Sequence, residues 1–220
     1  MKNKWLLIGL SSIFLAACGS KNDANDHNFT VAIKQYLSDN GDLCLDVGPF
    51  PVDVTQTELH DQTEHPAGIA AKMVALQRAG LLTSVDIALS QLEFVDDRPT
   101  GHRMQVRRFE LTTNGRDAYR QFLADTALAT GKPQPSRGDL CYGKLGLDKI
   151  GDWNGPTQVE GHQEATVRYT YTVDNIAAWA KSPAMETAFP AINNAIAGAS
   201  QQSLSTTLVL GDKGWSARRR

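Results

Sequence analysis

Two stretches of the chain read alike, Gly41-Asp42-Leu43-Cys44 and Gly138-Asp139-Leu140-Cys141. Each cysteine follows a leucine and opens an apolar segment, so the pattern predicts two equivalent strands lying side by side. A bridge between Cys44 and Cys141 would oblige any fold of this chain to join residues about a hundred positions apart. In the chain-entropy model, closing such a loop contributes roughly 4–5 kcal/mol. Two buried free thiols are the alternative, and the redox compartment decides between them. The N-terminus bears on that choice.

Lys2 and Lys4 precede an apolar stretch, Trp5 to Phe14, which ends in Leu15-Ala16-Ala17-Cys18-Gly19-Ser20. The stretch is too short to cross a bilayer as a permanent helix, which needs about 20 residues. Residues 1–17 therefore read as an export signal, with an ordinary signal peptide and a chance cysteine as the bland alternative. The end of the segment resembles the lipobox of bacterial lipoproteins, a Leu and small residues leading to a Cys. That resemblance covers the first 20 residues. It implies cleavage before Cys18, diacylglycerol on the Cys18 thiol and a fatty acyl chain such as palmitate on the new amine. Each buried lipid CH₂ adds about 0.8 kcal/mol, so several chains hold a soluble body at a membrane. Gly19, where retained inner-membrane lipoproteins carry Asp, points to the outer membrane with the body in the periplasm. Residues 18–28 are polar without an apolar period and read as a flexible tether.

Cleavage removes two of the 22 basic residues, leaving 20 against 24 acidic ones and a net charge of −4. Such a chain has little attraction for phosphates or bare anionic membranes, which argues against nucleic acid as a partner. With 41% apolar and 21% charged residues, the chain is no disordered polyelectrolyte.

The apolar spacing predicts an α+β fold in two small halves, 29–129 and 139–217. Thr30 is expected to cap a helix over 31–39, followed by a strand near 43–47. Gly48-Pro49-Phe50-Pro51 breaks regular structure, and 55–66 reads as a polar loop. A helix is expected over 67–79, a hairpin from 84–95 and 104–111, and a helix from Thr112 or Thr113 to about Leu128. Residues 130–138, rich in Pro and Gly, are the linker candidate.

Within the first half, Leu76-Gln77-Arg78-Ala79-Gly80-Leu81-Leu82 leads into the hairpin, and Leu111-Thr112-Thr113-Asn114-Gly115 leaves it. Residues 72–119 thus resemble the wing half of a winged-helix domain. No helix-turn-helix precedes Ala67, so the resemblance implies a scaffold of that shape more than a reader of DNA.

In the second half, strands are expected at 140–147 and 163–173, with Ala165, Val167, Tyr169, Tyr171 and Val173 on one face. Helical segments follow, one capped by Asp174 and one restarted at Ser182-Pro183, with another break at Pro190. A last strand spans 204–210, and Gly214-Trp215 closes the body. The similar spacing of Cys44 to Cys141 and of Gly115 to Gly214 is a weak internal echo.

No phosphate-cradling glycine loop, nucleophile elbow or paired-histidine zinc motif occurs in the sequence. Glu58, His60, Asp61, Glu64 and His65 carry ligand atoms, but in a polar loop they read as a solvated surface. Arg98, His102, Arg103, Arg107 and Arg108 put positive charge around the hairpin. An acidic partner is one reading of that charge, and a solvated hairpin face is the other. Arg137-Gly138-Asp139 matches a short adhesion motif with little information content, and Arg218-Arg219-Arg220 forms a basic end. No metal and no cofactor is implied. The expectation is a lipid-anchored envelope protein that binds a partner, an envelope component or an incoming toxin, without covalent chemistry. A periplasmic hydrolase with scattered residues and a winged-helix nucleic-acid binder are the alternatives.

Overall fold

A computed structural model describes residues 20–92, 99–123 and 135–218. The fold is α+β, with two antiparallel sheets and six short α-helices among the described residues. Cys18, the export segment, residues 93–98 of the expected hairpin and most of the 130–138 linker candidate lie outside those residues.

The first helix, α1 (Asp26–Asn40), starts earlier than Thr30 and corrects the expected tether. Asn25 caps it, its side chain accepting from the Asn28 backbone N–H at 2.9 Å. The helix runs into Phe29, Ile33 and Leu37, all buried. A polar lead-in that ends in an N-cap and an apolar stripe belongs to the helix, not to a free linker.

The larger sheet has the order β1-β6-β7-β8-β9, with β5 also on β6. Here β1 is Asp42–Asp46, β5 Tyr119–Leu123, β6 Pro135–Val159, β7 His162–Asp174, β8 Ser203–Gly211 and β9 Gly214–Ala217. The long β6 continues beyond the expected end at Leu147 and takes up register shifts near Leu147, Ile150 and Asn154. Glu160 and Gly161, both at positive φ, turn it into β7. Along β7 the alternation holds: Ala165, Val167, Tyr169 and Tyr171 are buried, and Val173 is half-buried.

The smaller sheet has the order β2-β4-β3, from β2 (Val52–Thr55), β3 (Leu82–Leu92) and β4 (Pro99–Leu111). The hairpin is as expected, while β2 was hidden by its proline flank. Between β2 and β3 lie α2 (Gln56–His60), a short 3₁₀ turn and α3 (Ile69–Arg78). The expected loop over 55–66 therefore holds a helix, nucleated by a capping box. Thr55 accepts from the Glu58 N–H, and Glu58 accepts from the Thr55 N–H at 2.8 Å.

The helix expected to reach Leu128 stops at Ala118. After α4 (Thr113–Ala118), residues Tyr119–Leu123 pair with β6 as β5. Their spacing suits a helix face, but strand pairing beside Leu140 prevails over local propensity. Past β7, the expected helix capped by Asp174 is reduced to a 3₁₀ turn, Ala178–Lys181. Ser182 and Pro183 then start α5 (Pro183–Ala188), and Pro190 restarts the chain as α6 (Pro190–Gly198).

The halves expected at 29–129 and 139–217 are woven together. One core joins Leu45, Leu76 and Phe109 from the first to Leu140, Met185 and Ile192 from the second. A second core sets Phe29, Ile33 and Leu37 against Val167, Tyr169, Leu208 and Trp215. Gly115 and Gly214 occupy unlike places, one in α4 and one opening β9, so the sequence echo has no structural counterpart there.

Candidate functional site

Cys44 of β1 faces Cys141 of β6 across an antiparallel pair, and the two sulfurs are bonded at 2.07 Å. The two Gly-Asp-Leu-Cys strands do lie side by side. Asp42, beside this pair, receives Arg120 and Lys144. The Arg120 hydrogen bond holds its carboxyl below the usual range.

The chain enters the fold next to the end of the larger sheet. Lys21 Nζ donates to the Asp212 carbonyl at 2.6 Å, and Trp215 Nε1 donates to the carbonyls of Asn22 and Asp23 at 3.2 Å. Residues 21–23 are thereby fastened to the β8–β9 hairpin.

Beside that entry, α1 and the last strand β9 frame an open groove of about 790 Å³. Val31, Tyr36 and Trp215 supply apolar walls, and Asp39 and Arg218 supply charge of both signs. Val31 is 57% exposed on the outer face of α1, among the exposed Lys34, Gln35 and Ser38. With β9 at the end of its sheet, the groove combines a strand edge and a helix wall, the geometry in which an extended segment can dock. No sequence pattern announced this groove, because its walls come from residues nearly two hundred positions apart.

The basic hairpin is largely neutralised. Arg107 pairs with Asp86 at 2.8 Å and Arg108 with Asp53 at 2.7 Å, each through two hydrogen bonds. Those bonds lower the pKa of Asp86 and of Asp53. Arg103 donates to the Ala88 carbonyl at 3.0 Å. His102 lies at the exposed end of the hairpin, and Arg98 is outside the described residues.

Glu58 is held by Thr55 in the capping box, and His60, Glu64 and His65 are exposed. Among the described residues no three His, Cys, Asp or Glu side chains converge as a metal site. Arg137 is bonded to Asp139 at 2.7 Å, and the Asp139 carboxyl is buried, so this tripeptide is strand and not a presented loop. A Cβ at Gly138 would run into the Gly48 carbonyl and the Tyr119 ring. Arg218 reaches Glu164, which also meets His162 at 2.9 Å, and Arg219 and Arg220 lie outside the described residues. Tyr142 and Tyr169 are core residues, and burial raises the pKa of both. No helix among the described residues is long and apolar enough to cross a membrane.

Comparison of the chain with protein-family models, with curated proteins and with solved structures finds no match.

Proposed function

We propose that this chain is a lipid-anchored lipoprotein of the bacterial outer membrane whose periplasm-facing body works by binding a protein partner. The partner is an envelope component or a toxin restrained by an immunity-type inhibitor. The observation that carries the address is the Cys44–Cys141 bridge read together with the lipobox ending at Cys18. Structural disulfides persist outside the reducing cytoplasm, where the export signal sends the chain.

The groove between α1 and β9 favours binding, since it offers a strand edge and mixed polarity beside the entry of the chain. The order β2, α2, α3, β3, β4, with β4 central, supports likening residues 72–119 to a winged-helix half. The pairing of Arg107 and Arg108 with carboxylates speaks for a scaffold over a phosphate-reading wing.

Affinity capture of the membrane-tethered protein from the envelope, with mass identification, tests the reading. A partner that is retained by the wild type and lost on substitution of Val31 and Tyr36 by Asp is expected. Turnover of a substrate by the purified body would contradict it.

A further inference from the structure

The outer strand of the smaller sheet, β3, carries a sequence that reads nearly alike in both directions. In the order β2-β4-β3, no described strand lies on the far side of β3. Its sequence is Leu82-Thr83-Ser84-Val85-Asp86-Ile87-Ala88-Leu89-Ser90-Gln91-Leu92. Read outward from Ile87, it is nearly a palindrome. Val85 mirrors Leu89, Ser84 mirrors Ser90, and Leu82 mirrors Leu92. Asp86 mirrors Ala88, so an antiparallel copy centred on Ile87 opposes no like charges.

The backbone agrees with this centre. The Leu81 carbonyl accepts from the Thr112 N–H at 2.9 Å, and Leu82 faces Leu111 in the β3–β4 ladder. Alternation then turns the N–H and C=O groups of Thr83, Val85, Ile87 and Leu89 toward β4. Those of Leu82, Ser84, Asp86, Ala88 and Ser90 point to the free edge. Around Ile87, and short of the register shift after Ser90, the edge-facing groups fall opposite one another as 84 with 90 and 86 with 88. The outward Ala88 carbonyl is met by a side chain, Arg103 at 3.0 Å, as befits an edge acceptor without a strand partner. A carbonyl has a second lone pair for a strand.

The side chains agree as well. Edge strands that avoid pairing carry Lys, Pro or an unpaired charge. The one ionised residue of β3, Asp86, is compensated within the sheet by Arg107 at 2.8 Å. Val85, Ile87, Leu89, Met104 and Val106 share one sheet face, on which Val85 is 54% and Met104 43% exposed. A second copy would extend that apolar row across the two-fold axis.

We propose that the free edge of β3 binds β3 of a second copy of this chain. The two three-stranded sheets then join antiparallel into one of six strands, with Ile87 facing Ile87 on the axis. The contact is isologous and closes on itself, so it makes dimers and not fibres. It is independent of whether Cys18 is acylated.

Oxidative cross-linking of the full-length chain in membranes tests this, using copper–phenanthroline and non-reducing gels. Directly opposed residues of an antiparallel pair have Cα atoms about 4.5–5.5 Å apart, within the roughly 4.4–6.8 Å that a disulfide spans. Ile87→Cys is therefore expected to give at least about tenfold more dimer than Thr83→Cys, whose copies would lie roughly 27 Å apart. The double variant Val85→Cys with Leu89→Cys is expected to cross-link, and either single change is not. This second set guards against a misfolded Ile87 variant. Equal cross-linking at all positions, or none above the wild type, would overturn the proposal.

Discussion

Replacing both Cys44 and Cys141 by serine is expected to lower the unfolding free energy by about 4–5 kcal/mol, at the upper end for a single bridge. The effect comes from the loop the bridge closes, a separation of 97 residues. Both cysteines are only half-buried, so serine hydroxyls at these positions lose little hydration and the packing change is small. The single change Cys44→Ser should match the double one, since one missing sulfur already opens the loop. Denaturant unfolding of the oxidised wild type against both variants checks this. A loss below about 1 kcal/mol would mean that the bridge contributes no more than an ordinary surface contact.

Phe29→Ala is expected to cost about 3–5 kcal/mol, the range for truncating a fully buried aromatic. Phe29 has no exposed surface, and it meets Trp153 and Trp215 edge-on, each with ring centroids 5.1 Å away. Those two rings belong to β6 and β9, so Phe29 is where α1 is fastened to the larger sheet. Truncation should also release Asn22 and Asp23, whose carbonyls accept from Trp215 Nε1. Amide exchange at the start of α1 and in β9 should then rise together. Unfolding midpoints and exchange rates read both effects, and a loss under about 1 kcal/mol would contradict this packing account.

Much of the larger sheet was legible in the sequence because its signals are local. Val167, Tyr169 and Tyr171 alternate cleanly, the repeated Gly-Asp-Leu-Cys marks the paired strands, and outside the sheet Ser182-Pro183 is a helix start signal. What escaped depends on distant partners or on short signals. β2 has four residues beside Pro49 and Pro51, and only its pairing with β4 makes it a strand. Tyr119–Leu123 fits a helix and a strand equally, and β6 decides between them. Asn25, Asp26 and Phe29 are a cap, an acidic first turn and a core anchor, yet in a polar stretch they resemble linker. Thr55 and Glu58 could have been read as a capping box from their spacing alone. The groove between α1 and β9 joins the two ends of the chain, and no local pattern describes it.

The proposed function depends on lipid at Cys18, and metabolic labelling with palmitate tests that anchor most directly. Cells producing the full-length chain should yield labelled protein in the outer-membrane fraction, with a mature N-terminus at Cys18 by mass analysis. The Cys18→Ser form should carry no label and leave the membrane. Unlabelled wild type, or a Cys18→Ser form that behaves identically, would contradict the anchoring on which the proposed function depends.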